Sequence, residues 1–240
     1  MNAVIDKQRM TIDTPDGSFG AYLARPAGPA AAAAAPSIVV IQEIFGINAD
    51  VRETCDTLAG LGYIAVAPDL FWRQEPGVDI TDQSEAEWKK AFSLYKGFDV
   101  DKGVGDIAAT MAAARALPGA SGKLGVVGFC LGGLLTFLSA TRNKPDAAVA
   151  YYGGSTEQYA GEFAHLACPL IMHLAEADEF ISADARATIV QAATGNDKVQ
   201  IFTYPGQNHA FARHRGTHYN AEAATLANAR TYAFFAQHLK

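Results

Sequence analysis

The stretch that decides the fold is the run Gly128-Phe129-Cys130-Leu131-Gly132-Gly133. Residues 124–129 are typical of a strand buried on both faces, and residues 134–139 are typical of the start of a helix. Gly128 and Gly132 stand two residues on either side of Cys130, where they remove Cβ atoms that would collide in a sharp strand-to-helix turn. The pattern is that of a nucleophile elbow, G-x-S-x-G, with cysteine in place of serine. It predicts a reactive thiol at the carboxyl end of a strand.

The place of Cys130 before a helix favours the reactive form of its side chain. Free N–H groups and the positive end of the helix dipole would point at the sulfur, which stabilises a thiolate and offers a donor to an oxyanion. Two other interpretations stay open. A buried structural cysteine is disfavoured by the flanking glycines. A dinucleotide-binding G-x-G-x-x-G loop is disfavoured because Cys130 would replace its middle glycine.

Length and composition indicate one domain. Half of the 240 residues are apolar, which is enough for a substantial core, so we expect a single domain over residues 1–240. The Ala/Pro/Gly-rich segment 26–36 is predicted to be a loop, because the residues before it are too few for a core of their own.

Charge and cysteine content exclude several classes of partner. The net charge is -6 and no basic cluster occurs, so we expect no nucleic-acid partner. Apolar runs are too short to span a membrane. The three cysteines, Cys55, Cys130 and Cys168, are too few for a disulfide framework, and no signal segment opens the chain. We expect a cytoplasmic protein, and a monomer.

Strands and helices alternate along most of the chain. The turn signal Asp16-Gly17 predicts an N-terminal antiparallel hairpin over residues 11–23. The predicted strands beyond it are residues 37–42, 63–67, 124–129, 147–152, 170–174 and 199–204, and the predicted helices are residues 49–59, 84–96, 101–116, 182–193 and 221–239, with one more beginning near residue 134. This order predicts an α/β fold with a mostly parallel central sheet and helices on both faces.

Four reactive side chains follow predicted strands, namely Glu43, Cys130, Asp178 and His209. Ligands of such sheets bind outside the carboxyl ends of the strands, so we expect the four to lie together. The order nucleophile, acid, histidine is that of the α/β-hydrolase fold, in which a base takes the proton of the nucleophile and an acid orients the base. Glu176 and Glu179 are alternative acids, and Asp178 is preferred because it lies nearer the middle of its turn.

The segment after the first central strand adds two features. Glu43 stands among apolar residues, and a carboxylate there needs a partner. The backbone N–H groups of Ile44 and Leu131 come from the two loops that build the oxyanion hole in this fold. His214 and His218 have a spacing that metals use, but the neighbouring arginines would repel a cation, so no metal is assigned.

With these residues in view, the chain resembles the dienelactone hydrolases, or carboxymethylenebutenolidases, which are cysteine enzymes of the α/β-hydrolase fold. The matching motifs, besides the elbow, are Gln-Glu-Ile-Phe-Gly from Gln42, Arg-Glu-Thr from Arg52, Pro-Asp-Leu from Pro68, Gly-Val-Gly-Asp from Gly103, Tyr-Tyr-Gly from Tyr151 and His-Ala-Phe-Ala-Arg from His209. The resemblance implies Cys130 as nucleophile, His209 and Asp178 as its partners, and Glu43 as a carboxylate that exchanges a proton with the thiol. It implies a small unsaturated lactone bearing a carboxylate as substrate, and no cofactor.

The resemblance is less complete in the predicted substrate pocket, which contains Arg213, Trp88, Phe92, Tyr151 and Ala210. Arg213 matches one of two arginines that hold the substrate carboxylate in the family, and a guanidinium suits that task. Trp88 stands at the position of the other arginine, and Phe92 and Ala210 replace polar residues. A broader carboxylesterase or thioesterase of the same fold is therefore the leading alternative. A non-hydrolytic thiol protein, such as a redox sensor, is the second.

Overall fold

A computed structural model describes residues 4–28 and 33–240. The strands in this part of the chain are β1 (Ile5–Thr14), β2 (Gly17–Pro26), β3 (Ala35–Ile41), β4 (Ile64–Pro68), β5 (Ala120–Phe129), β6 (Ala147–Tyr151), β7 (Leu170–Ala175) and β8 (Val199–Tyr204). The α-helices are α1 (Ala49–Gly60), α2 (Glu85–Lys96), α3 (Val100–Arg115), α4 (Leu131–Arg142), α5 (Ala183–Ala193) and α6 (Ala221–Leu239).

All of these strands belong to one sheet, in the order β1-β2-β4-β3-β5-β6-β7-β8. The hairpin β1–β2 is antiparallel and joins β4 in an antiparallel pair, whereas the neighbours from β4 to β8 are parallel. The predicted α/β fold, with a mostly parallel sheet and an N-terminal hairpin, is confirmed. The chain order reverses direction between β3 and β5, and sheets of this kind bind ligands at such a switch point. Glu43 follows β3 and Cys130 follows β5, so both lie at this point.

The inner strands are apolar because helices cover both faces of the sheet. Every residue of β3, β4, β6 and β7 is buried. Side-chain oxygens of Asn48, Ser84 and Asp99 cap the first turns of α1, α2 and α3, which fixes where those helices begin. None of the helices in the described ranges combines the length and the apolar character that crossing a bilayer requires.

Several predicted boundaries differ from the structure. The hairpin predicted over residues 11–23 extends from Ile5 to Pro26, and the strand predicted over residues 124–129 begins at Ala120. The predicted loop 26–36 is shorter, since Pro26 ends β2 and β3 begins at Ala35, and residues 29–32 lie outside the described residues. Helix α4 starts directly after Cys130, because the glycines that permit the turn also pack into the first helical turn. A 3-10 helix, Thr156–His165, was not predicted, since its short polar sequence has no regular apolar period.

Candidate active site

The backbone at Cys130 makes the sharp turn that the glycine pattern predicts. Cys130 has φ 55° and ψ -116°, a conformation that costs a non-glycine residue about 1 to 3 kcal/mol. A Cβ atom on Gly128 would lie 2.6 Å from Thr136 Oγ1, and one on Gly132 would lie 2.6 Å from the carbonyl oxygen of Gln42. Both approaches are closer than real Cβ contacts, so only glycine fits at either position. The turn raises the thiol above the carboxyl end of β5.

Two backbone N–H groups beside Cys130 are free to donate. The carbonyl of Cys130 accepts from the amides of Gly133 at 2.9 Å and Leu134 at 3.2 Å, which closes the first turn of α4. The N–H groups of Leu131 and Ile44 donate to no acceptor within residues 4–28 and 33–240. Both residues line the same cavity as Cys130. An oxygen with negative charge is a suitable acceptor at such a pair of donors.

His209 is held by Asp178. Nδ1 of the ring lies 3.0 Å from Oδ1 and 2.9 Å from Oδ2 of the carboxylate. Asp178 is fixed in turn, because its Oδ1 accepts from the amides of Phe180 at 2.8 Å and Ile181 at 3.0 Å. The competing acid Glu179 is exposed and lies 3.5 Å from His218 instead. Asp178 is therefore the carboxylate that orients the ring, and Nε2 stays available.

The electrostatic surroundings of His209 favour its protonated form. Burial lowers the pKa of the ring, but the charge of the Cys130 sulfur and the hydrogen bond to Asp178 outweigh it, and the pKa is raised to about 10. This effect requires the sulfur and the imidazole to be near neighbours. Cys130 and His209 also line one cavity of about 160 Å³. The thiol and the imidazole therefore face the same space.

The walls of this cavity are mostly aromatic. Besides Cys130 and His209, the side chains that line it include Ile44, Phe45, Trp88, Phe92, Tyr95, Phe180 and Arg213. The rings of Trp88 and Phe92 stack with centroids 5.3 Å apart, and Phe45 meets Trp88 edge-on at 5.2 Å. Phe180 packs edge-on against His209 at 4.9 Å. The predicted residues Trp88, Phe92 and Arg213 therefore do lie beside the thiol.

Two predicted pocket residues do not line this cavity, and the prediction is corrected for both. The hydroxyl of Tyr151 contacts Thr231 at 2.6 Å and Asn228 at 2.9 Å, both on α6, so its side chain points toward α6 and not into this cavity. Ala210 is buried in the loop after His209, where its carbonyl accepts from the amide of Arg213 at 3.0 Å. Its small side chain does not extend to the cavity.

Arg213 connects two buried carboxylates. One of its terminal nitrogens donates to Glu43 and the other donates to Asp82 at 2.6 Å. Asp82 also accepts from the amide of Thr217 at 2.9 Å. Burial raises the pKa of Asp82, but the Thr217 amide and the charge of Arg213 outweigh it and hold that pKa below its ordinary value. Glu43 thus has the partner that its apolar surroundings require, and that partner is Arg213.

Comparisons with known proteins identify the family of this chain. The model of the dienelactone hydrolase family matches residues 19–239. The chain belongs to the dienelactone hydrolase family. A protein of Azospirillum brasilense named "putative carboxymethylenebutenolidase" is 48% identical over 93% of this chain and 95% of its own length. The carboxymethylenebutenolidase of Pseudomonas putida is 41% identical over 95% of each chain. A crystal structure of a "putative dienelactone hydrolase" from Klebsiella pneumoniae superposes with a TM-score of 0.85 at 29% identity, covering 98% of this chain and 99% of the other.

Sequence reasoning missed three residues of this dienelactone hydrolase family member. Tyr152 packs against His209 with ring centroids 5.0 Å apart, and it was missed because it follows the end of β6 with φ 35°, where the alternation of a strand no longer applies. Phe180 lies two residues after Asp178 in a loop, where no helical or strand period indicates the direction of a side chain. No sequence pattern indicated that Asp82 is buried and paired, because its partner Arg213 lies 131 residues away. Within the described part of the chain, no group of three or more His, Cys, Asp or Glu side chains is arranged to hold a metal.

Proposed function

We propose that this dienelactone hydrolase family member opens a small lactone or ester through a covalent acyl-enzyme on Cys130. The observation that carries the proposal is the meeting of Cys130 with the His209–Asp178 pair in one cavity. A nucleophile, a base and a group that orients the base are the parts that acyl transfer requires. The free N–H groups of Leu131 and Ile44 supply the fourth part, an oxyanion hole.

The reaction has two halves. The Cys130 thiolate attacks the carbonyl carbon, an Sγ–C bond forms, and the carbonyl oxygen takes the negative charge beside the amides of Leu131 and Ile44. When the C–O bond to the alcohol breaks, protonated His209 gives its proton to the departing oxygen. Neutral His209 then takes a proton from water, whose oxygen attacks the thioester. The Sγ–C bond breaks, and the acid is released with the sulfur again a thiolate.

Glu43 is proposed to exchange a proton with the thiol when substrate binds. In the structure its Oε2 accepts from Arg213, and its Oε1 is buried without a hydrogen-bond partner among the described residues. A carboxylate oxygen without a donor is an available hydrogen-bond acceptor. Glu43 directly precedes Ile44, so the proton acceptor and an oxyanion donor belong to one loop.

The substrate class has two candidates. The relatives named carboxymethylenebutenolidase support an unsaturated lactone that bears a carboxylate. The aromatic cavity walls, and the engagement of Arg213 by two carboxylates, favour a second candidate, an ester with a less acidic acyl group.

Replacement of the nucleophile tests the proposal. Cys130→Ala is expected to fold and to lose turnover of an activated aryl ester, and the wild-type protein is expected to gain the mass of the acyl group on Cys130. The matched control is Cys168→Ala, which removes a buried thiol outside the cavity. Turnover retained by Cys130→Ala, or an acyl group found on another residue, would contradict the proposal.

A further inference from the structure

Asp82 is anchored independently of the arginine that it holds. Its Oδ2 accepts from the Thr217 amide at 2.9 Å and from Thr217 Oγ1 at 3.2 Å, and its Oδ1 accepts from Gln83 Nε2 at 2.6 Å. The residue is 5% exposed. Arg213 is 8% exposed and donates to Asp82 at 2.6 Å. Asp82 is therefore a fixed anchor, and Arg213 is the group that it keeps in place.

The positive charge of the anchored arginine is already offset by two carboxylates. Its terminal nitrogens donate to Glu43 and Asp82, its Nε is buried without a hydrogen-bond partner among the described residues, and the Phe45 ring covers the guanidinium at 4.9 Å. Apart from His209, Arg213 is the one basic side chain among the described residues that line the cavity. The two carboxylates that pair with Arg213 exceed its single positive charge by one. A substrate carboxylate beside Arg213 would be a third negative charge around one cation.

The mouth of the cavity suits an uncharged group. Phe92, Tyr95 and Phe180 surround it and are 36%, 38% and 49% exposed. Exposed aromatic side chains that border a cavity provide apolar surface for a ligand. The surface that a substrate meets before it reaches Cys130 is thus aromatic, and the charge behind it is negative.

We propose, on the basis of the function proposed above, that Asp82 is a specificity-determining residue that offsets the positive charge of Arg213 at the cavity wall, so that the cavity selects uncharged aryl or alkyl esters and lactones over anionic ones. Asp82 touches neither the substrate nor the reacting atoms. It acts through the position and the charge of Arg213.

The test compares two substrates that differ in one charge. The 4-nitrophenyl monoester of glutaric acid carries a carboxylate, and its methyl ester does not. The ratio of kcat/KM for the anionic substrate to that for the neutral one is measured after subtraction of spontaneous hydrolysis. We expect the wild-type protein to prefer the neutral substrate by about tenfold or more, and Asp82→Asn to raise the ratio about tenfold, since a neighbouring charge commonly shifts such equilibria by this factor.

Asp79→Asn is the matched control. Asp79 lies in the same loop, is exposed and pairs with Arg52 at 2.7 Å, so its loss removes one charge without touching Arg213. A folding defect lowers both rates together and leaves the ratio unmoved, and the wild-type ratio tests the preference without any variant. A wild-type preference for the anionic substrate would overturn the proposal. An unchanged ratio in folded Asp82→Asn, or the same change in Asp79→Asn, would overturn it too. Cys130→Ala separates the two proposals, because activity retained there contradicts the acyl-enzyme whatever the ratio is.

Discussion

The charge of the Cys130 sulfur should be measurable at His209. The pKa of the ring is raised to about 10, although burial, the largest influence, lowers it, and Cys130 is the first cause of the rise. Cys130→Ala removes that charge and leaves the Asp178 hydrogen bond to oppose burial. We expect the pKa of His209 to fall by about 1 to 3 units, which corresponds to about 1.4 to 4 kcal/mol of lost interaction with the imidazolium.

A titration of histidine ring signals by NMR measures this shift. The chain contains 6 histidines, so a protein labelled at histidine Cε1 gives few signals, and His209→Gln identifies the one that matters. Cys168→Ala is the matched control, because its buried thiol does not line the cavity of His209. We expect that control to leave the pKa of His209 unchanged.

One result would refute this reasoning. If His209 titrates at the same pH in Cys130→Ala and in the wild-type protein, the sulfur does not act on the ring, and the proton exchange on which the proposed reaction depends has no support. A fall of similar size in Cys168→Ala would assign the shift to a general loss of packing instead.

Three further predictions concern the triad, the elbow and the core. Asp178→Asn should lower kcat for an aryl ester by about 10³ to 10⁴, because the ring loses its orienting carboxylate, whereas Glu179→Gln should retain wild-type kcat. Gly128→Ala should lower the free energy of unfolding in urea by about 3 kcal/mol, since its Cβ would lie within 3.0 Å of neighbouring atoms, and Gly105→Ala, with open space around it, should not. Burial, and after it the charge of Arg230, lowers the pKa of His173 to about 3, so below pH 6.5 the unfolded chain binds a proton that the folded chain does not. Between pH 6.5 and pH 5 the free energy of unfolding of the wild-type protein should therefore fall by about 2 kcal/mol more than that of His173→Gln. Equal losses in the two proteins would contradict this prediction.

The fold could be predicted from the sequence because its signals are local. The glycines around Cys130 act within five residues, and the apolar strands are separated by helices with clear boundaries. The order of Cys130, Asp178 and His209 was sufficient to predict that they meet, since parallel strands end at one edge of the sheet.

The cavity walls were harder to predict because they depend on contacts between distant segments. Asp82 binds Arg213 across 131 residues, and nothing near Asp82 in the sequence indicates a buried carboxylate. Tyr151 was assigned to the pocket as part of a motif, but its hydroxyl contacts α6. The choice between Asp178 and Glu179 also needed the structure, because reach across a turn depends on backbone angles that single residues do not fix.

The close approach of Gly132 to the end of β3 has a consequence for how this enzyme can change. The backbone of Gly132 packs closely against the carbonyl of Gln42. Contacts between backbone atoms therefore set the spacing between the two loops that carry Leu131 and Ile44. Side chains around the opening can then be exchanged without shifting the groups that perform the chemistry. In the proposed reaction, selectivity and turnover would be carried by separate parts of the molecule, which makes the rim the place to redesign the selectivity of this enzyme.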